Sequence, residues 1–401
     1  MKILLLCHKM PYPLHDGGAY SSYYTSLGLA SQNMNVKVLA INTPKNWIDT
    51  NRIPDDFVKK TKFEFSKVDT RFKPLHAFLN LFGERSYFVE RFFSKTFNTD
   101  LIRILKKENY DIVHLEHIYL SLYIDTIRKH SKASIVLRPQ NVENQVWKRV
   151  LKNNIQPVKK VYLKVATKRL EKFEMEVSKK VDGIIAISPG DAETFKIYAP
   201  KTPLIEVPAG FDFNSLSLYD FNKQFTNFPI FYHLGSMDWY PNIQGVRWFV
   251  KEVLPVIKTD CPEFVFRLAG KKMPRWIDKL QSKNLAIDGE PKDALKYHED
   301  KAVMIVPLLS GGGLRVKIIE GMALGKTIIS TSIGAEGIPY TDQQNILIAD
   351  DAETFADQIK RCMGSKEFCR NIGKHAQKLA IEKYDYQKTT KKMISFYKSL
   401  S

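Results

Sequence analysis

Short apolar runs alternate with longer stretches of helical period along the whole chain, and this alternation is the strongest constraint on the fold. Runs that are apolar at every position predict strands buried on both faces, as in a parallel sheet covered by helices. The first half has six predicted strands, at Ile3–Cys7, Val36–Ile41, Ile112–Leu115, Ile135–Leu137, Ile184–Ile187 and Leu204–Val207. After a polar stretch the pattern begins again, with strands predicted at Ile230–Leu234, Phe264–Ala269, Leu285–Ile287, Val303–Val306, Thr327–Ser330 and Asn345–Ile348.

This repetition predicts two doubly wound, Rossmann-like α/β domains with parallel sheets. A chain of 401 residues is longer than one hydrophobic core usually serves. We place the first domain at residues 1–208, the second at 209–384, and a C-terminal helix that could cross back to the first domain at 385–401. Two such sheets would face each other across a cleft, with ligands at the carboxyl ends of the strands. We therefore expect the functional residues in loops that follow strands.

Composition narrows the class of protein. The longest apolar runs, Ile3–Cys7 and Ala302–Leu309, are far shorter than the roughly 20 residues of a membrane-spanning helix, and the N-terminus lacks the pattern of a signal peptide. The four cysteines have no zinc-type spacing. We expect a cytoplasmic protein with reduced thiols, no metal and no cofactor. The net charge of +18 calls for an anionic partner, which could be nucleic acid, a membrane surface or phosphate-bearing substrates.

A strongly basic helix is predicted to begin at Pro157. Its apolar residues Val158, Val161, Tyr162 and Val165 form one stripe. The remaining surface carries Lys159, Lys160, Lys164, Lys168, Lys172 and Lys179. Two interpretations stay open, a solvated helix surface or contact with an anionic membrane, which the Lys/Arg/Phe-rich segment 59–107 could extend.

A strand, a triple-glycine turn and a helix follow one another in Val306–Lys326, and this segment predicts a phosphate site. Glycines let backbone amides approach an anion, and the helix N-terminus adds a partial positive charge. Arg315 and Lys317 supply cations suited to a diphosphate, and Glu320 lies one turn further on, where it could accept hydrogen bonds from ribose hydroxyls. The other donor-binding candidates of this segment are Gly311, Gly312, Gly313 and Leu314. The alternative is a surface ion-pair network beside a flexible loop.

Four segments in this order resemble the retaining family four of glycosyltransferases (glycosyl transferases group 1), which has the GT-B fold. Besides Val306–Lys326 they are Val207–Asp212, His233–Asn242 and Leu268–Gly270. The resemblance covers nearly the whole chain. It implies a nucleotide-diphosphate sugar as donor and a glycan or lipid-linked acceptor, with a role in surface polysaccharide or lipopolysaccharide synthesis. It also adds Gly235, Asp238 and Gly270 to the donor-binding candidates.

The chain departs from the family pattern at two places. Many members have two glutamates eight positions apart around the phosphate loop, but Gly312 stands at the first position and Glu320 at the second. Many also carry Arg and Lys after the first strand of the donor domain, where this chain has Ser236 and Asn242. We therefore expect Arg315 and Lys317 to hold the diphosphate and to act as catalytic residues.

Three loops of the first half provide the acceptor-side candidates. Gly17 and Gly18 follow the first predicted strand, and in the resembling family this loop borders the acceptor and the donor phosphates. The resemblance places His114 near the reacting sugar and Glu116 where a second histidine is common, so Glu116 is our third catalytic candidate. A buried, hydrogen-bonded His114 without a catalytic part is an equal alternative. Acceptor binding is predicted for His114, Arg138, Asn141 and Glu143; the last three could equally form a capped turn.

Other functions fit parts of the pattern. A nucleotide-sugar epimerase or a phosphorylase can share the architecture, since a fold does not fix its chemistry. A nucleic-acid-binding protein would fit the charge, but the sequence has no helix-turn-helix, zinc or RNA-recognition signature, and we expect no nucleic-acid partner.

Overall fold

The computed structural model describes residues 1–14, 17–44, 47–80, 83–151, 157–217, 219–311 and 313–400, without the side chains of Phe78 and Val158. The chain divides into two compact units. The first unit comprises Met1–Gly210, Gly312–Leu314 and Tyr386–Ser401. The second comprises Phe211–Gly311 and Arg315–Asp385.

The first unit is built on a seven-stranded parallel sheet with the order β3-β2-β1-β4-β5-β6-β7. Its strands are β1 (Lys2–Cys7), β2 (Asn35–Asn42), β3 (Glu64–Lys67), β4 (Ile112–Glu116), β5 (Ser134–Arg138), β6 (Gly183–Ala186) and β7 (Leu204–Glu206). Its helices are α1 (Gly17–Ser31), α2 (Asp55–Thr61), α3 (Pro74–Leu79), α4 (Tyr87–Glu90), α5 (Lys95–Lys107), α6 (Ile124–His130), α7 (Glu143–Leu151), α8 (Pro157–Ser178) and α9 (Pro189–Tyr198).

The second unit repeats the plan with a six-stranded parallel sheet in the order β10-β9-β8-β11-β12-β13. Its strands are β8 (Phe231–Leu234), β9 (Phe266–Ala269), β10 (Leu285–Gly289), β11 (Val303–Val306), β12 (Thr327–Ser330) and β13 (Leu347–Ile348). Its helices are α10 (Tyr240–Trp248), α11 (Leu254–Asp260), α12 (Arg275–Asp278), α13 (Ala294–His298), α14 (Val316–Ala323), α15 (Ala352–Gly364) and α16 (Lys366–Tyr384). A π-helical turn at Phe249–Val253 joins α10 to α11.

The last helix, α17 (Tyr386–Ser399), packs against α1 in the first unit. Gly28 of α1 allows this contact, because a Cβ there would lie 2.2 Å from the Thr390 hydroxyl oxygen. The Tyr397 hydroxyl reaches Nδ1 of His114 on β4 at 2.6 Å. The chain terminus thus takes part in the polar core of the first unit.

The strands read as continuous apolar runs because both faces of each sheet are covered. On β1, Leu4 and Leu6 point into one buried cluster, whereas Ile3, Leu5 and Cys7 point into another on the opposite face. All twelve predicted strands are present. The prediction missed β3, whose sequence Glu-Phe-Ser-Lys lies at the sheet edge and contains a single apolar residue, so it has no apolar run.

The basic helix is α8, but the predicted apolar stripe is wrong in orientation. Val161 and Val165 are exposed, by 66% and 37%. The helix instead buries a longer stripe, spaced three and four residues apart, that extends to its C-terminal end: Leu163, Ala166, Leu170, Phe173 and Val177. This stripe covers the core because it alone spans the length of the helix. Within the described ranges, no helix is long and apolar enough to span a membrane.

Candidate functional site

In each unit the strand order reverses beside the first strand, and the candidate residues gather there. In the second unit β8 pairs directly with β11, with Phe231 opposite Val303 and Tyr232 opposite Met304, although β9 and β10 lie between them in the sequence. Such a reversal leaves a crevice at the carboxyl ends of the two strands, where doubly wound sheets bind ligands. Gly235 follows β8 and the glycine turn follows β11.

Arg315 and Lys317 lie at the start of α14, directly after the glycine turn. Arg315 is the N-cap residue and its own side chain makes no capping hydrogen bond, so the first amides of α14 lie beside the two cations, directly after the glycine turn. The Arg315 guanidinium is buried and lies 5.5 Å from the ring centre of Trp239. Lys317 donates from Nζ to Oδ1 of Asn242 at 2.9 Å. The site therefore concentrates positive charge at a helix N-terminus.

The pKa shifts of Lys317 and Glu320 indicate that the N-terminus of α14 has more positive than negative charge nearby. Burial and the nearby Arg315 lower the pKa of Lys317 to about 7, against the weaker opposing effect of Glu320. Burial raises the pKa of Glu320 to about 7, although Lys317 works against this. A bound dianion would restore the usual charge of Lys317, because an opposite charge favours the ammonium form.

The floor of this site depends on glycines at two strand ends. Gly270 has φ 149°, and a Cβ there would lie 1.7 Å from the backbone oxygen of Gly235. A Cβ on Gly235 would in turn lie 2.7 Å from Nζ of Lys317 and 2.9 Å from Nε2 of His233. The β8 and β9 loops can approach each other and the lysine only because both residues lack a side chain.

His233 lies beneath the site and is completely buried. Its Nδ1 lies 2.8 Å from the carbonyl oxygen of Ile305. Burial and the Lys317 charge keep the pKa of His233 well below its usual value, so the ring is neutral. A carbonyl only accepts, so Nδ1 carries the proton and Nε2 presents a lone pair. Among the described residues, Nε2 has no hydrogen-bond partner.

The remaining donor candidates lie around this centre. Asp238 is held at the rim by Lys272 at 2.7 Å and by the Ser236 hydroxyl, and these contacts lower its pKa. Gly311 and Gly313 have φ of 118° and 76°. Gly313 and Leu314 group with the first unit, and Gly312 lies outside the described residues.

In the first unit, Glu116 and Arg138 are opposite each other on β4 and β5 and form a fully buried ion pair at 3.1 Å. Arg138 also donates to the hydroxyls of Ser21 and Thr25, at 2.7 and 3.1 Å. Glu116 further contacts His114 at 3.1 Å and accepts from Gln140 at 3.0 Å. Burial alone would raise the pKa of Glu116, but Arg138 and these hydrogen bonds lower it to about 2.

This network is internally neutralised. His114 lies between Glu116 and the Tyr397 hydroxyl, and both of its ring nitrogens have partners. The geometry favours the alternative in which His114 is a hydrogen-bonded core residue. It also favours Glu116 and Arg138 as groups that position the strand ends rather than groups open to a ligand.

A second cluster surrounds Glu143 at the start of α7. Its carboxylate accepts from the Tyr119 hydroxyl at 2.8 Å and from Asn141 at 3.3 Å, and lies 3.3 Å from Nε2 of His117. Burial would raise the pKa of Glu143, but the contacts with His117 and Tyr119 leave it lowered. From α8, Glu174 accepts from the backbone N–H of Glu143 at 2.8 Å and so caps α7.

His117 has the most unusual backbone of this cluster, with φ 115° and ψ 147°. A non-glycine residue there stores strain of about 1–3 kcal/mol, and such residues concentrate at functional sites. Its ring lies 4.1 Å from that of His8, which follows β1. Burial and His117 keep the pKa of His8 well below its usual value. The ends of β1 and β4 thus place two imidazoles side by side, and that of His117 contacts Glu143.

The predicted glycines of the first loop start α1. Gly17 is its first residue. A Cβ on Gly18 would lie 2.5 Å from Oε1 of Gln140 and 2.6 Å from Nζ of Lys9, so Gly18 permits close approach of the loops after β1 and β5.

Sequence reasoning missed His8, His117, Gln140, His233 and the contact between Lys317 and Asn242. His8 and His117 could have been found as polar residues directly after β1 and β4, the two strands beside the order reversal. The contact of Asn242 joins residues 75 positions apart and has no local signal. No cluster of three or more His, Cys, Asp or Glu side chains suited to a metal occurs in the part of the chain described.

A cation-bearing helix N-terminus after a parallel strand, at the reversal of strand order, defines a class of α/β proteins that bind phosphate esters. Comparison with known proteins gives the particular family. Residues 228–365 match the sequence model of the family Glycosyl transferases group 1. The match confirms the predicted resemblance: the chain contains a glycosyltransferase group 1 domain and is an enzyme of the glycosyltransferase class.

One relative and many solved structures are similar over most of the chain. An uncharacterized 44.6 kDa protein in the cps region of Klebsiella pneumoniae is 24% identical over 302 residues, which is 72% of this chain and 74% of that protein. Sucrose-phosphate synthase from Thermosynechococcus elongatus has a TM-score of 0.72 at 14% identity, over 100% of this chain and 99% of that one. Anabaena Alr3699/HepE in complex with UDP-glucose has a TM-score of 0.64 at 14% identity, over 100% of both chains. These likenesses confirm the predicted GT-B fold.

Proposed function

We propose that this enzyme is a retaining glycosyltransferase that moves a sugar from a nucleotide-diphosphate sugar to a glycan or lipid-linked acceptor in polysaccharide synthesis. The observation that carries the proposal is the pair Arg315 and Lys317 at the N-terminus of α14, directly after the glycine turn. Two cations, helix amides and a glycine turn suit a diphosphate, which carries charge on both phosphates. The lowered pKa of Lys317 supports an anionic ligand at this position.

The chemistry follows from that charge. In the transfer, the bond between the sugar C1 and the donor phosphate oxygen breaks, and a bond from C1 to the acceptor oxygen forms on the same face. The acceptor hydroxyl proton passes to the leaving diphosphate. Arg315 and Lys317 stabilise the negative charge that grows on the diphosphate, and such preorganised stabilisation is usually the largest catalytic term. In this scheme the reaction uses neither a metal nor a cofactor.

The acceptor side is assigned to the first unit. Glu143, Asn141 and His117 combine a carboxylate, an amide and an imidazole that can hold sugar hydroxyls. His8 lies beside them. In this assignment Glu116 and Arg138 support the cluster through the strand ends instead of contacting substrate.

Two further observations bear on the biological setting. The Klebsiella relative comes from a cps region, which supports a role in polysaccharide synthesis. Cys7, Cys261, Cys362 and Cys369 are free thiols, which supports a reducing, cytoplasmic compartment.

The test begins with binding. We expect UDP, the nucleotide in the HepE complex, to bind in titration calorimetry, and a panel of nucleotide sugars in thermal shift to identify the donor. NMR of the product, before its anomers equilibrate, is expected to show that the transferred sugar keeps the anomeric configuration of the donor, as retaining transfer requires. Epimerised donor without release of nucleoside diphosphate would replace this proposal with an epimerase.

The assignment of the cations has its own control. We expect the double variant Arg315→Ala, Lys317→Ala to lose turnover, whereas Arg275→Ala, Lys279→Ala removes two exposed cations of the same unit and keeps it. Wild-type turnover in the first variant would remove Arg315 and Lys317 from the mechanism.

A further inference from the structure

One surface of the first unit combines exposed apolar side chains with lysines, and the proposed transfer reaction does not use it. On α3 and just before it, Phe72, Leu75 and Leu79 are exposed by 54%, 67% and 59%. On α8, Val161 is exposed by 66% and Val165 by 37%. Scattered exposed apolar residues are ordinary on protein surfaces, but a group beside one another marks an interaction site.

Side-chain contacts bring the two elements together. Leu75 and Leu79 are four residues apart and share one face of α3, as Val161, Val165 and Arg169 share one face of α8. Arg169 donates to the backbone oxygen of Asn80, the residue after Leu79, at 2.8 Å. The C-terminal end of α3 therefore adjoins the middle of α8, about one turn from Val165 and two turns from Val161.

The charge on the α8 part of this surface has one sign. Residues 157–170 contain five cations and no carboxylate. Lys159, Lys160, Lys164 and Lys168 are all exposed. At 100° per residue, Val161 lies in the middle of the exposed face of α8, with Lys164 and Lys168 beside it. We call Phe72, Leu75, Leu79, Val161, Val165 and these four lysines the basic apolar face.

We propose that the basic apolar face docks this enzyme on an anionic lipid bilayer. Apolar side chains that stand out among lysines match the boundary between acyl chains and headgroups, while long lysine side chains reach anionic headgroups. A soluble polyanion would use the lysines but would leave five apolar side chains in water. The combination thus favours a lipid surface over nucleic acid or an acidic glycan.

The buried side of α8 gives the docking a consequence for the site. Glu174 on the inner face of α8 accepts hydrogen bonds from the backbone N–H groups of Glu143 and Asn144, at 2.8 and 2.9 Å. The helix that carries half of the basic apolar face therefore also holds the first turn of α7, where the acceptor candidates begin. A bilayer-bound α8 would place these residues near acceptors anchored in the same bilayer.

The experiment is flotation of the full-length protein with two kinds of vesicle, pure phosphatidylcholine and phosphatidylcholine mixed with phosphatidylglycerol. We expect binding to the mixed vesicles only, with weakening in high salt. The variant Lys159→Glu, Lys160→Glu, Lys164→Glu, Lys168→Glu is expected to lose at least about a hundredfold in partitioning, since each lysine contributes about fivefold. Its control is Lys251→Glu, Lys258→Glu, Lys279→Glu, Lys283→Glu, which makes the same charge change on exposed lysines of the second unit and is expected to keep binding.

A second pair of variants tests the apolar part at constant charge. Leu75→Ser, Leu79→Ser, Val161→Ser is expected to weaken partitioning about tenfold. Its control, Ile197→Ser, Ile333→Ser, Ile381→Ser, changes three other exposed residues and is expected to behave as wild type. Binding of UDP in solution is expected to persist in every variant, which separates this proposal from the proposed transfer reaction.

Three results would overturn the docking proposal. The first is equal flotation of the wild type with both kinds of vesicle, or none with either. The second is an equal loss in the glutamate variant and its control. The third is full binding by the serine variant together with competition by a soluble polyanion, which would assign the face to a polyanionic partner.

Discussion

Both units carry charged residues close to the point where the strand order reverses, but in the first unit opposite charges pair, whereas in the second unit two charges of the same sign lie together. In the first unit, Arg138 faces Glu116 in a fully buried pair, and hydroxyls and an amide complete the shell. In the second unit, Arg315 is the N-cap residue of α14 and Lys317 lies in its first turn, where burial and Arg315 lower the pKa of Lys317 to about 7. We therefore assign the paired charges of Glu116 and Arg138 a structural role. The two cations Arg315 and Lys317, whose charge is not balanced by a paired carboxylate, suit an anionic ligand.

This comparison predicts that the Glu116–Arg138 pair contributes more to stability than Arg315 and Lys317 do. We expect Arg138→Ala to lower the free energy of unfolding by about 3–5 kcal/mol, because Glu116 would remain buried without its cation. Urea unfolding followed by circular dichroism measures this change.

A double variant makes that prediction sharper. Arg138→Met with Glu116→Gln removes both charges, so we expect it to lose less than the sum of the two single changes. Lys317→Met is the matched change in the second unit. We expect it to alter stability by no more than about 1 kcal/mol, because loss of the hydrogen bond to Asn242 and removal of a buried charge oppose each other. Equal losses at Arg138 and Lys317 would contradict the division between the two units.

The second prediction concerns turnover. We expect Arg315→Ala to lower kcat by about 10²–10³-fold, as when a transition-state charge partner is lost, while the unfolding curve stays close to that of the wild type. Steady-state kinetics with the identified donor measures this. Arg275→Ala removes an exposed arginine of the same unit and serves as control. A rise in KM alone would show that Arg315 binds the ground state and the transition state equally.

The sequence predicts the architecture better than it predicts the partners of each charge. Strands buried on both faces, such as Val303–Val306, are visible as apolar runs, whereas the polar edge strand Glu64–Lys67 is not. The glycine turn and its cations are local in sequence, so the sequence predicts them together. The contact of Lys317 with Asn242 and that of His114 with Tyr397 join residues 75 and 283 positions apart, and only the folded chain brings them together.

The third prediction is a pH dependence of donor affinity. In the enzyme without ligand the pKa of Lys317 is about 7, and a bound diphosphate raises this pKa. Binding above pH 7 therefore takes up a proton. Below pH 7 Lys317 is protonated with or without ligand, so it is expected to add no pH dependence to the affinity for UDP. Above pH 7 the affinity is expected to fall by up to about tenfold per unit until the pKa of the complex is reached. Calorimetry in buffers of different ionisation enthalpy measures the proton uptake.

Two variants separate the contributions of Lys317 and Glu320 to this profile. Lys317→Arg keeps a cation that stays charged, so the fall attributed to Lys317 is expected to disappear. Glu320 also has a pKa of about 7, raised by burial. Glu320→Gln removes that second titrating group, and its affinity for UDP is still expected to fall above pH 7. An unchanged slope in Lys317→Arg would show that Lys317 does not contact the diphosphate.

The smallest expected effect is at Gly235, which separates the cation site from the sheet beneath it. A Cβ there would lie 2.7 Å from Nζ of Lys317 and 2.8 Å from Nδ2 of Asn242. Both are ends of side chains that can move. The buried His233 ring, with Nε2 at 2.9 Å, must shift by a few tenths of an ångström, so we expect Gly235→Ala to lower stability by about 1 kcal/mol. Because Lys317 is displaced, the Gly235→Ala variant is expected to bind UDP about fivefold less tightly, which corresponds to about 1 kcal/mol. Gly364→Ala, where a Cβ meets nothing within 4 Å, is the control and is expected to leave affinity unchanged. If Gly235→Ala bound UDP as well as the wild type, the position of Lys317 seen here would have no part in holding the diphosphate.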